Sequence, residues 1–341
     1  MKRWYLYPFS LVYHFVTAMR NRMYDWGIFS STKFKTPIIG VGNLSVGGSG
    51  KSPMVMYMAD LLSKNFRTGV LSRGYGRKTK GYGIVNYDST YKMVGDEAMQ
   101  LFERFRNRFV IGVCEDRVFG ARKIIDDMDL DVLLLDDSYQ HRRIKPGFNI
   151  LLTDYNDPYF KDFLLPAGNL RESRRGAKRA DLIVVTKCPE ILTEEKKQFY
   201  INKIKPRHYQ KIFFSSINYD ENVVNKRQQI PVQNLNYYDI LLVTGIANPS
   251  LILKEIQKYT PKIKHLKYGD HHSFTLADID NIKKEYQKLG EYRIILTTEK
   301  DFVRLKSFDL IREKIYYWPI NVEIDRKEEF DQIIENYVRK N

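Results

Sequence analysis

Six consecutive residues, Gly47-Gly48-Ser49-Gly50-Lys51-Ser52, have the composition of a loop that holds phosphate. Glycines let successive backbone N–H groups turn toward one anion, and a following helix would add the positive end of its dipole. In such a loop the lysine reaches the β- and γ-phosphates and the hydroxyl residue ligates Mg²⁺, here Lys51 and Ser52. The candidate ATP-binding stretch is therefore Ser45, Val46, Gly47, Gly48, Ser49, Gly50, Lys51 and Ser52. Ser45 departs from the general G-x₄-G-K-[ST] pattern, which asks for glycine there. The apolar run ending at Asn43 and the helical pattern from Pro53 give the strand-loop-helix context such a loop requires.

A magnesium-holding acid should end a neighbouring buried strand, and Val132-Leu133-Leu134-Leu135-Asp136-Asp137 offers two, either of which could face the ion. Nucleotide choice leans away from guanine. Where an N-K-x-D would sit, Val185-Thr186-Lys187-Cys188 keeps only Lys187. The six histidines have no spacing that pairs two imidazoles on one helix face, and two distant cysteines form neither a disulfide framework nor a thiolate site. No structural metal is expected, and a reducing, cytoplasmic setting fits. The formal charge of +15 predicts an anionic partner.

Buried apolar runs alternate with helical patterns along the chain, which implies parallel crossovers. Strands are expected at Pro37–Asn43, Thr68–Ser72, Phe109–Val113, Asp131–Asp136, Asn149–Thr153 and Leu182–Thr186, with the alternation restarting at Asp239–Thr244. The expected fold class is α/β with two α/β domains, the first a P-loop NTPase-like, mostly parallel sheet. Residues 31–205 would form that kinase domain, 206–233 a polar linker, and 234–341 a smaller domain closing over the site. Residues 1–30 read as an amphipathic helix. From Trp4 to Met19 there is no charged residue, yet these 16 residues fall short of the roughly 20 needed to span a bilayer. Tyr5, Phe9, Val12, Val16, Met19, Met23 and Trp26 make an aromatic-rich stripe opposite Ser10, Thr17, Asn21 and Asp25, edged by Lys2, Arg3, Arg20 and Arg22. That arrangement suits a helix lying in the headgroup layer of an anionic membrane, and equally a helix packed on the domain behind it.

The whole set of motifs resembles the tetraacyldisaccharide 4′-kinases of lipid A assembly. The resemblance runs through Gly42-Asn43-Leu44-Ser45-Val46-Gly47-Gly48-Ser49-Gly50-Lys51-Ser52-Pro53, Ser72-Arg73-Gly74-Tyr75-Gly76 and Gly95-Asp96-Glu97. It continues in Asp136-Asp137-Ser138-Tyr139-Gln140-His141, Leu165–Glu172, Asp270-His271 and Thr298-Glu299-Lys300-Asp301. It implies an ATP- and Mg²⁺-dependent kinase acting on the 4′-hydroxyl of an acylated glucosamine disaccharide 1-phosphate, at the cytoplasmic face of the inner membrane, peripheral or monotopic. Its partners would be that glycolipid and the anionic membrane surface, with no nucleic acid and no obligate protein partner. By the same resemblance Asp96 and His271 form the proton-accepting pair, Arg171 offsets phosphate charge, and Glu172 supports Mg²⁺ beside Ser52, Asp136 and Asp137. Arg73, Gly74, Tyr75 and Asn43 would meet the acceptor. Ser138 and Asn169 depart from the usual pattern without removing a reacting group. Two rivals from other classes are a metal-delivery GTPase and an ATP-gated membrane switch.

Overall fold

The computed structural model describes residues 4–308, 311 and 313–341. A 19-residue helix α1 (Tyr7–Asp25) comes first. It leads into β1 (Ile38–Asn43), α2 (Lys51–Leu62), β2 (Thr68–Ser72), β3 (Gly83–Ile84), α3 (Tyr91–Val94) and α4 (Asp96–Phe105). Then follow β4 (Val110–Val113), α5 (Arg117–Met128), β5 (Val132–Leu135), β6 (Phe148–Asp154), β7 (Leu182–Thr186), α6 (Glu194–Ile204) and β8 (Lys211–Tyr219). Parallel strands covered on both faces need apolar residues at every position, not at alternate ones. β1, β2, β5 and β7 come close to that demand: each is buried throughout, with polar residues only at strand ends such as Asn43, Thr68, Ser72 and Thr186. β5 and β6, consecutive in the chain, pair parallel with β1 on opposite sides. The loop after β1 therefore opens at the carboxyl ends of the central strands, the usual place for a ligand in an open α/β sheet.

The second sheet is built from β9 (Asn222–Val224), β10 (Gln229–Pro231), β11 (Asp239–Thr244), β12 (Ile263–Lys267), β13 (Arg293–Thr298) and β14 (Ile315–Trp318). Helices α7 (Ser250–Gln257), α8 (Leu276–Gln287) and α9 (Glu299–Leu305) accompany it. Successive residues of β11 serve opposite faces, as the strand period requires. Ile240 and Leu242 pack with Trp318 and Ile256, while Leu241 and Val243 pack with Phe274, Ile279 and Phe302.

The domain boundaries differ from the expected ones. Residues 206–233 are not a linker, because β8 is a strand of the first sheet, parallel to β7. Nor does the second unit run to the end of the chain. β15 (Ile320–Ile324) pairs antiparallel with β8, and α10 (Lys327–Lys340) returns to the first core. Phe330, Ile334 and Val338, spaced four apart on α10, fill that core, which is why the helix belongs to the first sheet. The chain thus crosses between the units twice, side by side. Asp220 N–H donates to Pro319 O at 3.0 Å and Trp318 Nε1 donates to Asp220 O at 2.7 Å.

Among the described residues no helix is long and apolar enough to cross a membrane. α1 turns its polar side to the protein. Ser10 Oγ donates to Leu164 O at 3.0 Å, Tyr13 Oη to Arg171 O at 3.0 Å, and Asn21 Nδ2 to Glu172 Oε2 at 3.0 Å. Trp4, Tyr5, Phe9, Val12, Phe15 and Val16 are all exposed, from 59% to 78%. Lys2 and Arg3 lie outside the described residues.

Candidate active site

The loop after β1 is fastened before it reaches its lysine. Ser45 bridges to Leu170, and the Val46 N–H donates to Asn169 O at 2.8 Å. On the far side Thr186 Oγ1 donates to Ser49 O at 2.9 Å, and Lys187 donates to Gly48 O and to Asp154 Oδ2. Lys187, legible in the sequence only as a remnant of a guanine motif, is a clamp on the phosphate loop. Gly47 and Gly50 take φ values of 106° and 79°, in the left-handed region where glycine is unstrained. α2 begins at Lys51. Lys51 Nζ lies 3.3 Å from Asn43 Oδ1 and 3.9 Å from Asp137 Oδ1.

The two acids after β5 are differently placed. Asp137, at φ 45°, accepts from Arg171 Nη2 at 2.8 Å and Nη1 at 3.1 Å. Burial opposes its charge, but Arg171 and Lys51 outweigh that and hold its carboxyl below the usual range. Asp136 has no such partner. Its Oδ1 is buried without a hydrogen bond, and burial, with the charges of Glu97 and Asp137, raises it to about 7. An orphaned buried carboxylate oxygen beside a phosphate loop is the group a divalent cation would satisfy. Ser52 Oγ donates to Glu97 Oε1 at 3.2 Å, and Glu97 stands near enough to Asp136 for its charge to act on that carboxyl. No ready-made cluster of three or more metal-ligating acids, histidines or cysteines exists among the described residues. Mg²⁺ needs none, because it binds through one or two carboxylates together with substrate phosphates and water. Glu97 was legible in the sequence only as part of a motif; its role emerges from its distance to Ser52.

Two expected roles are overturned by position. Glu172 does not face the metal position: Arg179 donates to both its oxygens at 2.9 Å, Gln140 to Oε1 at 3.1 Å, and Asn21 to Oε2. It is a brace between α1 and the loop beside the phosphate site. Asn43, 1% exposed, does not reach an acceptor either. Its Oδ1 accepts from Lys51 and Arg171 and its backbone O from Gln140 at 2.9 Å, so it positions the lysine.

The amino end of α4 joins the two units. Glu97 meets Ser52, and its neighbour Asp96 meets the second sheet: Asp96 Oδ2 lies 3.0 Å from His271 Nδ1. Burial would raise the Asp96 carboxyl, but the bond to His271 and the charges of Lys300 and Arg304 hold it below the usual range. Gly95, at φ 89°, makes the turn into α4, and a Cβ there would stand 3.0 Å from Tyr75 O and 3.1 Å from Gly74 Cα. That contact lays the 74–76 loop along α4 and brings the Tyr75 ring within 5.5 Å of the His271 ring. Arg73 is exposed at the same loop. His271 itself sits at φ 55°, tied by its N–H to Gly245 O at 3.1 Å.

A central-strand phosphate loop, a buried unpaired acid beside it and a carboxylate-imidazole pair at its rim define a P-loop phosphotransferase. Residues 2–339 match the family described as Tetraacyldisaccharide-1-P 4′-kinase. The chain is 40% identical to the tetraacyldisaccharide 4′-kinase of Bacteroides thetaiotaomicron, over 99% of this chain and 93% of that one. It is 41% identical to the protein of that name from Flavobacterium johnsoniae, over 98% and 97%. In structure it is similar to LpxK from Aquifex aeolicus in complex with ATP, with a TM-score of 0.78, 30% identity, and coverage of 99% of this chain and 100% of that chain. The chain belongs to the tetraacyldisaccharide 4′-kinase family; it is an ATP-dependent kinase of lipid A biosynthesis.

Proposed function

We propose that this chain transfers the γ-phosphoryl group of ATP to the 4′-hydroxyl of a tetraacylated glucosamine disaccharide 1-phosphate, at the surface of an anionic membrane. The observation that carries the reading is the amino end of α4, where Glu97 meets Ser52 at 3.2 Å and Asp96 meets His271 at 3.0 Å. Adjacent residues thereby tie the triphosphate loop to a proton acceptor contributed by the other unit. His271 Nε2 takes the proton of the sugar hydroxyl as its oxygen bonds to phosphorus, and ADP leaves with the electron pair of the broken P–O bond. Asp96 orients the imidazole and balances the charge it gains.

Lys51, steadied by Asn43, and Arg171, seated on Asp137, supply cationic charge where the phosphates gather. Ser52, Asp136 and Glu97 would hold Mg²⁺, which when bound neutralises phosphate charge and fixes the triphosphate's bend. Tyr75 stands beside His271 and the exposed Arg73 lies two residues away on the same loop, both suited to a sugar. The outward apolar face of α1, edged by the exposed Arg20 and Arg22, supports docking on the cytoplasmic leaflet of the inner membrane, where acyl chains and acidic headgroups meet both features. The test is mass spectrometry of an acylated disaccharide 1-phosphate incubated with the protein and Mg-ATP. A mass gain of one phosphoryl group on the distal sugar is expected; free phosphate with unmodified lipid would overturn the reading.

A further inference from the structure

The proton acceptor of this site is capped. Lys300 Nζ lies 2.9 Å from His271 Nε2 and 3.9 Å from Asp96 Oδ2. Lys300 is the second residue of α9, whose amino end is held rigidly: Thr298 Oγ1 accepts from the Asp301 N–H at 3.1 Å, and Asp301 Oδ2 accepts from the Gly245 N–H at 2.9 Å. Other charged groups also face the pair. Arg304 Nη2 stands 3.2 Å from Asp301 and 3.5 Å from Asp96, Arg304 Nη1 donates to His272 O at 2.9 Å, and Asp270 lies 4.0 Å from His271 Nε2. Lys300, in contrast, gives its shortest contact to a ring nitrogen.

An ammonium can only donate. His271 Nε2 therefore accepts, and the ring proton sits on Nδ1 facing Asp96, which is the tautomer a base acting through Nε2 requires. The ammonium also stands where a sugar hydroxyl would have to stand to give up its proton.

We infer that Lys300 is a positioning residue for the transfer, holding the Nε2 lone pair of His271 in reserve and yielding that place to the acceptor hydroxyl. This rests on the kinase reading above. In the reacting complex the hydroxyl displaces the ammonium, which stays protonated a few ångströms away, beside the oxygen that is attacking phosphorus. The hydroxyl proton goes to Nε2 and not to Lys300. Until the glycolipid arrives the cap keeps water from the base, and ATP is not lost to hydrolysis.

The experiment compares wild type with Lys300→Met and Lys300→Arg. For Met we expect kcat for glycolipid phosphorylation to fall at least tenfold, with KM for ATP and lipid within about twofold of wild type, and Arg to recover part of the loss. Nitrogen-15 NMR of His271 in the free protein should show Nδ1–H in wild type and a mixture of tautomers in Lys300→Met. A Met variant with wild-type kcat, or one whose loss tracks a matching loss of ATP affinity, overturns the proposal, as does an Nε2–H tautomer in wild type. The NMR measurement needs no turnover, so it tests the role of Lys300 even if wild type fails to phosphorylate the lipid.

Discussion

The two α/β units contribute to the site in different ways. The first supplies groups that are braced on several sides: Asn43 under Lys51, Lys187 and Thr186 on the loop backbone, Arg171 on Asp137. The second supplies His271 and Lys300, which reach the first unit through a seam of polar contacts. Gln100 donates to Glu299 at 3.3 Å, Arg104 to Glu299 at 3.3 Å, and Lys306 pairs with Glu103, while Val303 of α9 packs into the first core. A seam that is largely polar, with Val303 among its apolar contacts and two backbone crossings, is better suited to opening and closing than a continuous apolar core. On the proposed mechanism, nucleotide binding belongs to the first unit, while proton transfer is assembled across its joint with the second.

Removing the charge of the rigid half should have the largest effect. Lys51→Ala is expected to abolish turnover and ATP binding together, measured by calorimetry and by lipid phosphorylation. Retained ATP affinity would break the assignment of binding to the first unit. The second unit should lose chemistry alone: His271→Ala is expected to lower kcat by about 10²–10⁴-fold with the ATP dissociation constant unchanged. A variant that loses both would erase the contrast.

The seam comes next in size. Glu299 is buried, and burial raises its carboxyl despite Arg104 and Gln100. Arg104→Ala leaves that acid with one weak partner, and a loss of roughly 1–3 kcal/mol in stability is expected. Urea melts followed by Trp318, buried in the second unit, would measure it. If the loss is absent, this polar contact contributes nothing and the units are held by Val303 in the first core and by the strand crossings. A smaller signal is the pH dependence of the same joint. Because the folded-state Asp96 carboxyl lies below its unfolded value of about 3.9, its contribution is complete above that value and fades as pH falls through the folded one. The difference in melting temperature between wild type and Asp96→Asn should therefore shrink on acidification from about pH 6 to about pH 3.

Much of the first half was legible from residues alone. The strands at Thr68–Ser72 and Leu182–Thr186 fall where apolar runs place them, because parallel strands buried on both faces confine polar residues to their ends. β8 and β15 escaped because they sit at the sheet's margin, where the half-exposed Asn218 and the exposed Glu323 break the run. The return of the last helix to the first core could not be read either, since periodicity tells which face of α10 is apolar and not which sheet it covers. In the site, Lys51 and Ser52 announce themselves by spacing. Glu97 and Lys300 do not, because each acquires its meaning only from a partner more than 25 residues away, Ser52 and His271. Glu172 was misread for the same reason: a conspicuous acid in a loop says nothing of Arg179 closing over it.

The smallest expected effect on stability carries the sharpest contrast with the packed units. α10 buries Phe330, Ile334 and Val338, whereas α1 buries Ser10 and exposes Phe9, Val12, Phe15 and Val16. In water such a face gains nothing from folding, so replacing Phe9, Val12 and Val16 together with serine should change stability by no more than about 0.5 kcal/mol per site. In a membrane interface each large apolar side chain taken from water contributes roughly 1.5–3 kcal/mol, and the triple variant should release the protein from vesicles containing anionic lipid. Deleting α1 is a poorer probe, since it also removes Asn21 from Glu172 and Tyr13 from Arg171 O, and with them part of the brace beside the phosphate loop. Co-sedimentation and thermal melts of the serine variant separate the two roles. Unchanged pelleting would mean that the apolar face of α1 is not what meets the lipid, while a lower melting temperature would mean that it packs on the protein after all.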